Sequence, residues 1–246
     1  QRQMCKETGF SGRRNFGFGL ETEWGLFESL GQLPPQGLDA SYRLDYYTER
    51  GPGIGFDASY EGGFITETTR EGWNFAGDLT SYLVLDSGQD HLGRERIRLP
   101  LDGEYDNELR GRIQWQHQHF LPDDWQVQLR AGYTSDETFL EEWFENDFDN
   151  GLPTNLSAYA KRQRNTEALT FLLEYQPNNV VTTADALQER FIGDRNASNL
   201  AFDDKPFEID RLPEIGYYRV GDSWADDQLT FFSENRLGGY MMNESG

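Results

Sequence analysis

The segment that decides the fold runs from Leu109 to Asp149 and reads LRGRIQWQHQHF (109–120), LPDD (121–124), WQVQLRAGYTS (125–135) and DETFLEEWFENDFD (136–149). Its first and third pieces alternate polar and apolar side chains with a period of two, which is typical of β-strands. The short LPDD connection contains turn-forming residues, so the block predicts an antiparallel hairpin. Each strand is about ten residues long, the length that a tilted strand needs to cross a bilayer.

The two faces of this hairpin differ in chemistry. One face is rich in Gln and Arg, which a packed soluble core does not tolerate, and the other carries Trp, Val and Leu. We therefore predict that the polar face lines a wet lumen and that the apolar face contacts lipid. The candidate lumen-facing residues are Arg110, Arg112, Gln114, Gln126, Gln128 and Arg130. The candidate lipid-facing residues, three of them from a later strand, are Trp125, Val127, Leu129, Leu169, Phe171 and Leu173.

The composition argues against some partners. The 246 residues include 22 basic and 43 acidic side chains, a net charge of −21, whereas phosphate binding needs a basic surface. Nucleic acid is therefore not an expected partner. The mean hydropathy of −0.77 is typical of soluble proteins, but in a transmembrane barrel only every second strand residue faces lipid. Aromatic residues make up 14% of the chain, which favours strands.

The rest of the chain repeats the hairpin pattern, and roughly ten strands are predicted at hairpin spacing without βαβ alternation. Two segments break the pattern. We interpret 136–148 as a short amphipathic helix or an irregular acidic loop, and 177–212 as a long polar loop. The predicted strands are 14–21, 22–30, 38–47, 54–61, 64–69, 73–86, 109–120, 125–135, 155–164, 166–176, 214–220 and 228–235.

The sequence therefore predicts an all-β fold, an antiparallel up-and-down transmembrane β-barrel. We expect residues 1–246 to form a single partial barrel domain that need not close on itself. Because the sequence shows no signal peptide, either the protein is cytosolic or the sequence is an internal piece of a longer exported chain, and the way in which it starts and ends suits a piece.

No catalytic centre is marked by the sequence, and we predict no enzymatic activity, no cofactor and no metal site. His117 and His119 share a strand face, but the sequence spacing marks no third metal ligand. We therefore interpret them as interfacial histidines near the end of a strand. The carboxylates of 136–149 lack the spacing of a calcium loop, and a solvated acidic face is favoured over a glycosidase pair. Residues 51–55 lie between two strands and predict a tight turn. Cys5 is alone and is either an incidental thiol or a partner for a cysteine outside this sequence.

An ordered series of segments resembles the barrel region of the LPS-assembly protein family (LptD, also called OstA). The most specific are His119–Trp125, Tyr133–Asp136 and Phe139–Phe144, and the stretch involved covers much of residues 8–235. The other segments are Thr8–Phe10, Phe16–Trp24, Leu44–Gly51, Gly55–Tyr60 and Arg211–Ile215.

The resemblance implies a large barrel in the cell outer membrane, plugged by a lipoprotein partner, that delivers lipopolysaccharide to the outer leaflet. It also implies the periplasmic bridge components of lipopolysaccharide transport as partners. The family's soluble N-terminal jelly-roll domain and the remaining strands of so large a barrel are not represented here. We therefore expect this chain to be one part of such a translocon.

Two alternatives stay open. The first is another outer-membrane channel or porin, which predicts a complete barrel with short turns on one side and long loops on the other. The second is a soluble acidic β-sandwich that binds or hydrolyses carbohydrate, which predicts an apolar core between two sheets. The position of the apolar strand faces separates these hypotheses.

Overall fold

One antiparallel sheet of eleven strands dominates the computed structural model, and each strand pairs with the next sheet strand along the chain. The structure describes residues 5–13, 15–65, 72–92, 96–97, 108–136, 138–151, 154–177, 207–224 and 228–244. The sheet strands are β1 (Cys5–Arg13), β2 (Gly17–Gly25), β3 (Leu38–Tyr47), β4 (Gly51–Ile65), β5 (Gly72–Asp86), β8 (Glu108–Leu121), β9 (Trp125–Thr134), β10 (Leu156–Arg164), β11 (Glu167–Tyr175), β12 (Phe207–Trp224) and β13 (Leu229–Glu244).

The remaining elements are short. Strands β6 (His91–Leu92) and β7 (Arg96–Ile97) form a separate two-stranded hairpin, and the helices are α1 (Leu26–Ser29), α2 (Phe139–Trp143) and α3 (Glu145–Asp149). Within the described residues, β1 and β13 are the edges of the large sheet and do not pair with each other. No helix in this described part of the chain is long and apolar enough to cross a membrane.

The predicted hairpin at 109–135 is confirmed, and its turn is tight. Leu121 of β8 pairs with Trp125 of β9, so residues 122–124 alone make the connection. Asp123 and Asp124 have φ angles of 61° and 62°. Two successive residues with positive φ match the right-handed twist of the flanking strands, and Asp tolerates this conformation better than most residues.

The two ends of the sheet differ in the length of their connections. At one end, the short-turn end, the strands are joined by residues 26–37, 66–71, 122–124, 165–166 and 225–228. At the opposite end, the long-loop end, short connections at 14–16 and 48–50 alternate with the long connections 87–107, 135–155 and 176–206. Helices α2 and α3 belong to the second of these long connections.

The strand register gives the sheet one polar and one apolar face, because cross-strand partners point to the same side and neighbours along a strand to opposite sides. One row crosses the sheet as Asp45, Gly53, Val84 and Arg110, and the next as Arg43, Gly55, Tyr82, Arg112 and Thr134. We call the face with these rows the polar face. The rows between them, such as Leu44, Ile54, Leu83 and Gly111, define the apolar face.

The buried core lies on the polar face at the long-loop end, where α2 packs on the sheet. Its members are Phe16, Tyr47, Tyr82, Val84, Phe139 and Trp143. Among the strands that the structure describes, the apolar face does not meet a second large sheet. The arrangement of these strands therefore disagrees with the sandwich alternative, which requires an apolar core between two sheets.

The all-β class and the antiparallel up-and-down order are confirmed, and the sheet is not closed, as expected for a partial barrel. Several boundaries differ. The strand predicted over 22–30 ends at Gly25, where α1 begins. The long loop predicted over 177–212 is wrong at its end, because residues 207–212 belong to β12, while residues 178–206 lie outside the described part. A register shift between Arg211 and Glu214, around Pro213, interrupts the alternation that would have revealed this strand.

Candidate functional site

The candidate site is a buried charged cluster at the long-loop end, and Arg50 lies at its centre. Arg50 occupies the connection between β3 and β4, and its side chain is fully buried. Its Nε and Nη2 donate to the two carboxylate oxygens of Asp86 at 2.8 and 2.7 Å, and Nη2 also donates to Asp90 at 2.8 Å. Its Nη1 donates to Glu142 at 3.0 Å and to the carbonyl oxygen of Gln89 at 2.8 Å.

The turn that carries Arg50 depends on the glycine that follows. Gly51 has a φ of +108°, and a Cβ atom there would lie 2.4 Å from the carbonyl oxygen of Leu85. Only glycine adopts this conformation without strain, and it lets the turn approach the end of β5. The amide of Ser87 then donates to the carbonyl oxygen of Arg50 at 2.9 Å, which places Arg50 beside Asp86.

A second arginine, Arg110 of β8, holds the same carboxylates from the polar face. It forms two-point contacts with Asp90, at 2.7 and 2.9 Å, and with Asp136, at 2.9 and 2.8 Å. Its Nη1 also donates to Asp86 at 2.8 Å. Paired contacts of this kind use the planar fork of the guanidinium and fix the geometry of both partners.

Further hydrogen bonds complete the cluster, in which two guanidinium groups face four carboxylates. Thr138 donates to Asp90 at 2.7 Å, and Trp143 donates from Nε1 to Asp86 at 3.1 Å. Burial opposes the charged form of Arg50, but the hydrogen bonds and charge of Asp86, followed by the charges of Asp90 and Glu142, outweigh it and raise the pKa of Arg50 above its ordinary value. The arginine therefore stays charged, and the cluster is suited to holding connections together.

Aromatic side chains seal the cluster from the side of β1 to β5. The guanidinium of Arg50 lies 4.8 Å from the ring centre of Phe16 and 5.2 Å from that of Trp143. Phe16 and Trp143 meet edge to face at 4.7 Å, and Tyr47 meets both rings. Contacts between a desolvated cation and aromatic faces stabilise a buried arginine.

Helix α3 is attached to the sheet by fewer contacts than α2. All of its residues are at least partly exposed, whereas α2 buries Phe139, Leu140, Glu142 and Trp143. Its ion pair joins Asp147 to Nη1 of Arg112 at 2.5 Å, and the Asp147 side chain keeps 38% of its exposure. The guanidinium of Arg112 also lies over the ring of Phe144, at 3.6 Å from its centre.

Two cavities lie on the polar face. The first, of about 930 Å³, separates α2 and α3 from the inner parts of β1 to β5 and is lined by residues that include Glu21, Arg43, Asp45 and Tyr82. The second, of about 870 Å³, lies toward the short-turn end and is lined by residues that include Asp39, Asp78, Gln116, Gln128 and Arg130. Both are open, so the polar face contacts water on either side of the charged cluster.

The register places the six candidate lumen residues together on the polar face of β8 and β9. Their surroundings differ. Arg110, Arg112 and Gln114 are buried beneath or beside the helical connection, whereas Gln128 is exposed. A lumen-lining role for the six residues stays a prediction.

The six candidate lipid residues share the opposite, apolar face. Val127 and Phe171 both pair with Ala160, while Leu129 and Leu173 both pair with Ala158. Trp125 and Leu169 both pair with Arg162, so a charge enters this face at the short-turn end. These residues do not join the buried core, and contact with lipid stays a prediction.

The interpretation of 136–149 as a solvated acidic face holds for Glu145 and Asp149, which are exposed, and is wrong for Glu142, which is buried. Asp136, Glu142 and Asp147 turn inward to the arginines of β8 and of the β3–β4 turn. The segment itself contains no Lys or Arg, so its cations come from residues distant in sequence. The prediction of helical structure in this segment is confirmed, although Phe144 divides the predicted helix into α2 and α3.

Sequence analysis missed Arg50, Asp86 and Asp90 as members of one site. The available signal was weak, since Asp86 only ends an apolar run and Arg50 only precedes Gly-Pro-Gly. The prediction of a tight turn at 51–55 is wrong, because these residues begin strand β4 and the turn lies at 48–50. His117 and His119 lie on the apolar face of β8, beside Tyr60, Phe75 and Trp115. Among the residues that the structure describes, no three His, Cys, Asp or Glu side chains are arranged to hold a metal ion.

No protein-family model matches the chain, and no curated protein matches it.

Proposed function

We propose that the chain forms part of an outer-membrane β-barrel translocon that inserts lipopolysaccharide into the outer leaflet, as members of the LPS-assembly (LptD/OstA) family do. The observation that carries the proposal is the exposed apolar face of the sheet. Phe10 on β1, Leu109 on β8 and Leu237 on β13 are 72%, 70% and 76% exposed. A water-soluble monomer rarely exposes a continuous apolar surface of this extent, whereas a barrel wall in lipid requires one.

The size of this face supports a membrane setting. On β5 the apolar face extends from Phe75 to Leu85, about 34 Å along the strand at about 3.4 Å per residue. At a tilt of about 40° this length gives a height of about 26 Å, close to the apolar band of outer-membrane barrels.

The pairing of the backbone supports a ring that continues beyond these strands. In hydrocarbon every backbone amide and carbonyl needs a partner, so an edge strand cannot face lipid. β1 and β13 each lack a second neighbour among the described strands. We expect further strands to pair with both edges in the assembled barrel.

The connections support an orientation for the barrel. Outer-membrane barrels have short periplasmic turns and longer extracellular loops. We therefore assign the short-turn end to the periplasm and the long-loop end, with α2 and α3, to the cell exterior. The polar face then offers a hydrophilic lumen to the glycolipid head group. In this setting a plug lipoprotein and the periplasmic bridge of the transport pathway are the expected partners.

A general outer-membrane channel is the second candidate, and the asymmetry of the connections favours it equally. It differs in requiring a ring complete within this chain, which the two open edges argue against.

Conditional depletion of the protein in its native cells tests the proposal. We expect the fraction of newly made lipopolysaccharide that antibody reaches on intact cells to fall, with the protein itself recovered in the outer-membrane fraction. Unchanged surface lipopolysaccharide with reduced uptake of small solutes identifies a channel instead. Recovery of the protein in the soluble fraction rejects both.

A further inference from the structure

We infer that the connection between β9 and β10 is a two-part lid over the polar face, in which α2 is fixed and α3 opens on its own. The inference that α3 opens is drawn from the geometry of α2, α3 and the charged cluster around Arg50. Its consequence, control of passage through the lumen, rests on the proposed function.

The first step is the difference in attachment of the two helices. Glu142 of α2 pairs with the fully buried Arg50, and Phe139 of α2 is 0% exposed. On α3 no residue is buried, and its ion pair to Arg112 is partly open to water through Asp147. A partly exposed ion pair contributes little to the stability of the fold. Breaking a buried, fully hydrogen-bonded ion pair costs far more stability.

The second step is the presence of a junction at each end of α3. Phe144 leaves the helical conformation, with φ −136° and ψ 54°, and separates α3 from α2. Gly151 follows α3 with a φ of +66°, and no heavy atom within 4 Å would restrict a Cβ there. The backbone can therefore turn at both junctions without unwinding α3 or moving α2.

The third step is what α3 covers. Residues 145–149 line the cavity of about 930 Å³ together with Glu21, Arg43 and Asp45 of the sheet. When α3 swings away, this cavity joins the open polar face and enlarges the lumen at the long-loop end. While α2 stays, the cluster around Arg50 holds together the connections between β3 and β4, between β5 and β8, and between β9 and β10.

Amide hydrogen exchange of the purified full-length protein tests the lid without altering its packing. Phe148 and Asn150 report on α3, since their amides bond to the carbonyl oxygens of Phe144 and Asn146. Phe144 reports on α2 through its bond to Leu140. Once α3 has left the sheet, this five-residue helix lacks the contacts that stabilise it, and its own hydrogen bonds open more often. We therefore expect Asp147→Asn to raise exchange at Phe148 and Asn150 by about threefold or more and to leave Phe144 unchanged.

Two matched variants complete the exchange experiment. Asp149→Asn removes an exposed carboxylate from the same helix without touching Arg112, and we expect exchange like that of the wild type. Glu142→Gln loosens the buried cluster, and we expect exchange to rise in both helices. Equal rises in both helices with Asp147→Asn, or no rise in either, overturn the inference.

A distance measurement separates swinging from unwinding in place. Spin labels at Asn146→Cys and Gln128→Cys, both exposed positions, report the separation of α3 from β9 in a Cys5→Ser background. We expect Asp147→Asn to add a population at longer distance. An unchanged distance with faster exchange means that α3 only frays, which rejects the lid. Because these measurements use purified protein, their failure leaves the depletion experiment on lipopolysaccharide unaffected.

Discussion

The Nη1 atom of Arg50 donates a hydrogen bond of 3.0 Å to Oε1 of Glu142, which lies 92 residues further along the chain. The contact joins the turn between β3 and β4 to α2 above the polar face. Arg110 adds the strand β8 to the same cluster through Asp86 and Asp90. A single buried network thus sets the relative positions of three connections at the long-loop end, namely those between β3 and β4, between β5 and β8, and between β9 and β10.

Replacing Arg50 with Met tests how strongly this network holds the fold. The substitution leaves the carboxylates of Asp86, Asp90 and Glu142 buried with one cation fewer. Breaking a buried ion pair from one side costs about 3–5 kcal/mol, so we expect the free energy of unfolding to fall by about that amount. Urea titration in detergent, followed by tryptophan fluorescence, measures it.

Arg164→Met is the control for this variant. Arg164 is 56% exposed and pairs with Asp124 in water, so its loss should cost at most about 1 kcal/mol. Equal losses for Arg50→Met and Arg164→Met would show that the cluster does not determine stability.

The pair Glu142→Gln and Glu145→Gln separates the two helices of the connection. Glu142 is buried against Arg50, while Glu145 on α3 is exposed. A charged hydrogen bond contributes about 1.5–3 kcal/mol, so we expect Glu142→Gln to destabilise by about 2 kcal/mol and Glu145→Gln to be near neutral. Because Trp143 adjoins Glu142, near-ultraviolet circular dichroism should change in the first variant alone. Matching spectra for the two variants would contradict the assigned contact.

Neighbouring residues of β9 test the membrane setting. Leu129 lies on the apolar face and Gln128 on the polar face. An arginine that faces lipid near the bilayer centre costs about 2–4 kcal/mol, whereas the same residue in a wet lumen costs little. We expect Leu129→Arg to reduce the amount of protein in the outer-membrane fraction and Gln128→Arg to leave it unchanged. Equal recovery of the two variants would remove the case for a lipid-facing apolar face.

The strands and their faces follow from the sequence because each depends on local alternation. Val127 and Leu129 share a face because they are two residues apart on a strand. The turn depends on two adjacent residues, Asp123 and Asp124, which both adopt positive φ angles. Alternation fails where a strand is irregular. Around Pro213 the register shifts, so the sequence pattern predicts a loop where the first part of β12 lies.

The charged cluster could not be predicted in the same way because its contacts join residues far apart in sequence. Nothing near Arg50 indicates that Glu142 or Asp86 will lie beside it. The composition of 136–149 predicts a fully solvated segment, because the arginines that pair with Asp136, Glu142 and Asp147 lie on β8 and in the β3–β4 turn. Pairwise contacts at long range, rather than periodicity, decide which carboxylates are buried.

A glycine on the apolar face gives the last prediction. Gly77 of β5 pairs with Tyr60, whose hydroxyl accepts a hydrogen bond from Nε1 of Trp115 at 2.8 Å and shares a second hydrogen bond with Nδ1 of His117 at 2.9 Å. A Cβ at Gly77 would lie 2.4 Å from the Tyr60 ring and 2.6 Å from the carbonyl oxygen of Gln116, and that carbonyl belongs to a paired strand. We expect Gly77→Ala to displace Tyr60, break both hydrogen bonds and destabilise the protein by about 1–3 kcal/mol in urea titration. Gly12→Ala serves as the control, because no heavy atom lies within 4 Å of a Cβ at Gly12. If both alanine variants unfold at the same urea concentration, the close contact between Gly77 and Tyr60 does not constrain the sheet.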